Sequence, residues 1–329
     1  MSTRQASHAG TWYSSHSGTL SSSLAKWLDI AQEADPLKGS ESFRVRAIIA
    51  PHAGYSYSGP TAAFAYAPIT AEVDSIATVF VLGPSHHVYL DSCALSSCSQ
   101  FATPLGDIEA DADVVAELKA TGQFGEMDLS VDEDEHSIEM HLPYIRKIMD
   151  AKTNGVFRIV PILVGTLSAA KQALYGRILS PYLANPSCLF VVSSDFCHWG
   201  TRFRYTPQPS LSGAKVNTIP IYEHIAQIDR EGMCLIERID VQGFTAYLQR
   251  TKNTICGRMP ICLLLQTIAA IDMRGSRDVA ASAPESAGAL ADASPAFKIQ
   301  FVKYAQSGQV LTIGDSSVSY ASGICYSAS

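Results

Sequence analysis

Histidine and cysteine side chains fall where this sequence ends its short apolar runs. Pro51-His52 follows Arg46-Ala-Ile-Ile-Ala50. His86 and His87 follow Thr78-Val-Phe-Val-Leu82 and a Gly-Pro-Ser turn. Asp195 and His198 follow Leu189-Phe-Val-Val192. Of the nine histidines, four lie in these three loops. Cys256, in Asn253-Thr-Ile-Cys-Gly-Arg258, stands just before an apolar stretch that starts near Pro260, and a helix N-terminus there favours thiolate over thiol. Neutral imidazoles and a thiolate are a sensible metal donor set, since imidazole suits iron, copper and zinc and sulfur shifts preference toward softer ions. The competing reading is that these are loop histidines hydrogen-bonded to backbone.

Other chemistry has less support. There is no G-x-G-x-x-G or Walker sequence, which disfavours a dinucleotide or P-loop enzyme. Ser85 in Gly83-Pro-Ser-His-His87 is not a nucleophile elbow. His136 and His141 are spaced i, i+5, not the i, i+4 of a zincin pair. His136 opens a helical stretch, so it either reaches a pocket or caps the helix. Asp132-Glu-Asp-Glu135 reads as a solvated loop leading into that helix, whose dipole it complements.

The elements that must position these residues follow from periodicity. The three runs above and Arg158-Ile-Val-Pro-Ile-Leu-Val164 are continuous and β-branched, as expected of strands buried on both faces. Phe297–Val302 and Val318–Ala321 are further strand candidates. Helical spacing marks Leu20–Ala31, Asp111–Leu118, Ile138–Met149, Leu174–Tyr182, the stretch from Ile221 to Ile228, and Pro260–Ile271. This alternation predicts an α/β fold: a single layered domain over 1–329 with a central mixed or parallel sheet flanked by helices. In such sheets ligands bind outside the carboxyl ends of the strands, where the candidate histidines lie. Ser276–Ala296 is almost all Ala, Ser, Gly, Pro and Asp, and is expected to be a disordered surface insertion.

Composition narrows the class. The chain has 329 residues, is 47% hydrophobic and carries a formal net charge of −7. That is ample for a core and disfavours nucleic acid as a partner. No stretch reaches the roughly 18 apolar residues of a membrane span, and Met1–Gly10 lacks the apolar run of a secretory signal. The eight cysteines include no C-x-x-C pair and read as free thiols of a reducing compartment, the cytosol, with the nucleus open by diffusion.

Several longer strings resemble the Memo family, the mediators of ErbB2-driven cell motility. They are Pro-His-Ala-Gly-Tyr at 51–55, Leu-Gly-Pro-Ser-His-His at 82–87, Asp-Glu-Asp-Glu-His-Ser-Ile-Glu-Met-His-Leu-Pro-Tyr at 132–144, Val-Val-Ser-Ser-Asp-Phe-Cys-His-Trp-Gly at 191–200, Asn-Thr-Ile-Cys-Gly-Arg at 253–258 and Asp-Ser-Ser-Val-Ser-Tyr-Ala at 315–321. The resemblance implies a fold like that of the class III extradiol dioxygenases and a metal set of His52, His86 and Cys256 for iron or copper. It implies that His198 is the acid–base group, with Asp195 beside it, and it leaves His136 and His87 for a substrate or peptide pocket. Where the dioxygenases use a carboxylate ligand, this chain offers Cys256. Two roles follow from the resemblance: a metal-dependent redox protein acting on a small redox-active molecule, and an adaptor that binds phosphotyrosine-type peptides of a signalling protein. A dioxygenase with an unknown substrate is a third.

Overall fold

The computed structural model describes residues 2–34, 37, 43–208, 219–282 and 297–328. The strands are β1 (Thr3–Arg4), β2 (Phe43–Ala50), β3 (Thr78–Pro84), β4 (Cys93–Ser96), β5 (Gln100–Phe101), β6 (Ile108–Ala110), β7 (Phe124–Met127), β8 (Arg158–Val164), β9 (Cys188–Ser193), β10 (His198–Trp199), β11 (Phe297–Gln306) and β12 (Ser317–Ala328). The helices are α1 (Ser17–Glu33), α2 (Tyr55–Tyr66), α3 (Ala112–Ala120), α4 (Leu129–Asp134), α5 (His136–Glu139), α6 (Leu142–Met149), α7 (Ala169–Ala184), α8 (Ile221–Glu237), α9 (Val241–Thr251) and α10 (Arg258–Ser282).

One mixed sheet runs in the order β1-β5-β6-β8-β3-β9-β2-β12-β10. Its centre, β8-β3-β9-β2, is parallel throughout, and these are the four runs with the continuous apolar pattern. Residues alternate between two cores because successive strand side chains point to opposite faces. Ile48, Val79, Val81, Leu189 and Val191 pack with α1, α2 and α6 on one face. Ile49, Phe80, Leu82, Phe190 and Val192 pack with α7, α9 and α10 on the other. Both cores share this sheet, so the chain is a single domain. Pro161 sits inside β8 without disrupting it. It falls between Arg158–Ile159, paired to β6, and Ile162–Val164, paired to β4, where no ladder N–H is required.

Parallel pairing brings the carboxyl ends of β2, β3 and β9 to one edge, so the loops bearing His52, His86 and Asp195 converge there. Two glycines permit the closest approaches. A Cβ on Gly83 would lie 2.5 Å from Ser137 Oγ, and one on Gly257 would lie 2.3 Å from Ser193 O. The Cys256 loop therefore rests directly on the end of β9.

Two readings need correction. The 138–149 stripe is two short helices, broken at Met140–His141 where Pro143 sets the first turn of α6. The apolar helix expected to end at Ile271 continues to Ser282, so the backbone of 276–282 is helical, in keeping with the helix propensity of its alanines. The remainder of the expected insertion, 283–296, lies outside the described residues. Among the described residues no helix is long and apolar enough to cross a membrane.

Candidate metal centre

His52 leaves the end of β2 fully buried. Its backbone N–H donates to Asp195 Oδ1 (2.9 Å), and its Nδ1 meets Ser193 Oγ (2.6 Å), whose hydroxyl donates to Ser137 O (2.7 Å). With that hydroxyl proton engaged, Nδ1 carries the ring hydrogen and Nε2 is left as the acceptor. Nε2 lies 3.2 Å from Cys256 Sγ. Burial and the neighbouring His86 hold His52 well below the usual histidine range.

His86 is fixed in the same way by a different partner. Glu135 Oε2 accepts its backbone N–H (2.7 Å) and Glu135 Oε1 accepts from its Nδ1 (2.9 Å). Burial raises the Glu135 carboxyl, but the His86 hydrogen bonds and charge outweigh it and bring Glu135 down to about 2. Glu135 is also the N-cap of α5, accepting from Ser137 N. His136 is therefore not the cap.

The ligand atoms of His52, His86 and Cys256 lie within 4.8 Å of one another, close to the roughly 4.5 Å that two donors can span across one ion. His86, Glu135 and His136 form a second group of similar compactness, and ring geometry separates the two. An imidazole nitrogen donates in the plane of its ring. The His52 and His86 rings are nearly perpendicular, at 74°, so their planes intersect. The His86 and His136 rings are stacked 4.5 Å apart at 13°, so their planes share no nearby point. Only the first group suits one ion. His136 instead packs between His86 and Trp12, whose ring is 4.4 Å away, and burial with the adjacent His86 lowers it to about 3.

Cys256 departs from expectation. Its position before α10 predicted a thiolate, but burial and the charge of Asp195 push the thiol well up. The sulfur accepts from Asp195 N (3.2 Å), and His52–Cys256 is a neutral imidazole–thiol pair. Asp195 is buried, which raises its carboxyl to about 7 against the pull of the His52 and Ala53 amides. Its carboxylate thus braces the His52 loop; no hydrogen bond to His198 is among its contacts. His198 points Nδ1 at two carbonyls, Phe196 O (2.9 Å) and Thr254 O (3.1 Å). That assigns the ring hydrogen to Nδ1 and leaves Nε2 as the acceptor. Burial keeps this ring below the usual range.

A cavity of about 450 Å³ opens beside these groups, lined among others by His86, His198, Cys256, Tyr89, Phe203 and Arg258. The two residues expected in the pocket lie outside its lining. His136 is stacked behind His86, and His87 is exposed on the rim, since adjacent residues at a strand end point apart.

The acidic run is not a solvated loop. Asp132, Glu135 and Glu139 are buried, and Arg4, itself fully buried, binds Asp132 Oδ1 (3.0 Å), Glu139 Oε2 (2.7 Å) and the Glu135 carbonyl (2.9 Å). Glu139 also takes His8 Nδ1 (2.8 Å) and the Tyr13 hydroxyl (2.6 Å). Burial raises it, but His8 and Arg4 hold it at about 2. Sequence reasoning missed Arg4, Glu135, Glu139 and Ser193.

The family model described as Memo-like protein matches residues 4–324. Protein MEMO1 of Homo sapiens is 44% identical over 320 residues, covering 97% of this chain and 96% of that protein. Protein MEMO1 of Danio rerio is 46% identical over 321 residues, with 97% and 96% covered. Protein memo-1 homolog of Caenorhabditis elegans is 44% identical over 324 residues, covering 98% of this chain and 83% of that protein. A crystal structure of the uncharacterized protein JW3007 from Escherichia coli K12 aligns over 83% of this chain and 98% of its own at 12% identity, with a TM-score of 0.41, too distant to bear on fold or function. A match of this extent leaves one conclusion: the chain belongs to the Memo-like protein family.

Proposed function

We propose that this chain binds one redox-active metal ion, iron or copper, through His52, His86 and Cys256, and uses it on a small molecule in the adjoining cavity. The observation that carries this is the state of the two imidazoles. Each has Nδ1 tied to a fixed partner, Ser193 or Glu135, which leaves Nε2 as the donor atom for an ion, that of His52 facing the Cys256 sulfur at 3.2 Å. Outer partners that fix the tautomer in this way are the usual companions of metal-bound histidine. A bound iron or copper ion would supply electron exchange with oxygen species at this site. His198 Nε2, neutral and on the cavity wall, would take and return a proton. Asp195 holds the His52 loop, and Arg258 offers an anionic group a charged contact. Sulfur in place of the carboxylate as third ligand argues against ring cleavage of simple catechols. The described cysteines are all free thiols, which supports a cytosolic setting.

The test is metal content of protein purified without added metal, followed by anaerobic titration with ferrous iron and cuprous copper. Cys256→Ser and His52→Ala should each weaken binding about a hundredfold or more, since one of three protein ligands is lost. Full affinity in both variants would sink the assignment. Loaded protein should consume oxygen and leave catechol intact; many turnovers of ring-cleaved product would make it a dioxygenase. No metal affinity, together with binding of a phosphotyrosine peptide, would favour the adaptor role.

A further inference from the structure

Asp229 is a fully buried acid that the proposed chemistry leaves without a task. It lies on α8, fully buried, and its carboxylate accepts from Cys197 N (3.2 Å), Asn253 Nδ2 (2.9 Å), Tyr304 OH (2.9 Å) and the Ser319 hydroxyl. All four donors are neutral, and burial raises the carboxyl to about 6. A buried carboxylate without a cation is costly unless its hydrogen bonds are needed.

Two of those donors bracket His198. Cys197 immediately precedes it. Asn253 immediately precedes Thr254, whose carbonyl accepts from His198 Nδ1 and whose hydroxyl accepts from His198 N (2.8 Å) and donates to His198 O (3.0 Å). Beside these direct bonds, Asp229 Oδ1 joins the two segments a second time, taking a donor from each. The pair of acceptors between which the His198 ring is hung, Phe196 O and Thr254 O, is thereby also tethered to α8. Cys256, two residues beyond Thr254, has separate anchors: Asp195 N on its sulfur and Ser194 Oγ on the amide of Gly257 (3.2 Å).

We infer that Asp229 is the positioning residue for His198: it clamps the 196–198 and 253–254 segments so that the ring keeps its hydrogen on Nδ1 and presents Nε2 to the cavity. The inference rests on His198 as the proton-moving group of the proposed function, but its first test does not depend on metal. In uniformly 15N-histidine-labelled protein, with signals assigned through His198→Gln, His198 should show the Nδ1–H tautomer. In Asp229→Ala it should lose that single tautomer and give averaged ring-nitrogen shifts. In Asp229→Asn, which keeps the shape and can face its amide to the adaptable hydroxyls of Tyr304 and Ser319, the tautomer should be retained. Metal stoichiometry should be the same in all three, while the oxygen reaction slows about tenfold or more in Asp229→Ala, the usual scale for misplacing a proton-transfer group. Asn253→Ala removes one link of the clamp without a change of charge and should reproduce the tautomer loss even where Asp229→Ala fails to fold. A wild-type tautomer in Asn253→Ala or in folded Asp229→Ala overturns the inference. So does a loss of metal affinity as large as that of Cys256→Ser, which would make Asp229 a support of the ligand loop. If the protein binds no metal at all, the proposed function fails and the tautomer result still decides the role of Asp229.

Discussion

The orientation of two imidazole rings decides what this site can hold. His52 and His86 meet at 74° with both Nδ1 atoms occupied, whereas His86 and His136 are stacked and parallel. Glu135 is the residue on which His86 depends most, since one carboxylate takes both its amide and its ring hydrogen. Glu135→Gln keeps one of these acceptors and turns an N–H toward the other, so metal affinity should fall about 10- to 100-fold, the range for loss of a supporting partner. His87→Ala should remain within about threefold of wild type by the same measure. Anaerobic titration of both variants checks the pair, and the reverse order would show that the wrong histidine of the Gly-Pro-Ser-His-His turn had been chosen. His52, His86 and His198 were legible in the sequence because each follows an apolar run, and Cys256 because it precedes one. Glu135 was not, because four consecutive acids look solvated until Arg4, more than a hundred residues away, is brought to them.

Strands were easier to read than the segments joining them. The four central strands are buried on both faces, so their composition announces them. The short strands at the sheet margins, β1, β5, β6 and β10, exist through pairing alone and have no pattern of their own. Helix α2 was missed because Gly59 and Pro60 interrupt its sequence. Trp27 packs where a Gly59 Cβ would be, and Pro60, in the middle of the helix, leaves one carbonyl of the preceding turn without its N–H. At the site, the element that matters most is the Cys256 loop seated on β9. Gly257→Ala would force its backbone away from Ser193 O and Ser194, an overpacking cost of about 1–3 kcal/mol. The expected result is a lower Tm together with metal affinity reduced about tenfold or more, although the three donor side chains are unchanged. A lower Tm with full affinity would show that the loop adjusts without moving the sulfur.

At the scale of the whole molecule, buried histidines govern the response to acid. His141 is fully buried, with Nδ1 at 2.8 Å from Tyr66 OH and Nε2 unpartnered. Burial lowers it from the usual histidine range to about 3. Its folded pKa lies below the unfolded one, so the unfolded chain takes up protons first, and stability is lost as pH falls below about 6.5. Between pH 7 and pH 5 this group should remove about 2 kcal/mol. Urea unfolding at the two pH values should show that slope reduced by this amount in His141→Asn, which keeps a partner for Tyr66 and cannot protonate. An unchanged slope would assign the acid sensitivity to other groups.

β12 lies directly beside β2, pairing Gly323–Ala328 with Phe43–Ile49, and the Ser322 hydroxyl reaches the Thr61 carbonyl. During synthesis the ribosome therefore releases the apolar strand β2 long before the strand that covers its flank. Until then β2 presents an unpaired edge of the kind that recruits other chains, and neither the His52 loop nor its cysteine partner 204 residues further on can settle. Closing this flank of the sheet and completing the candidate site therefore both wait on segments far along the chain from β2.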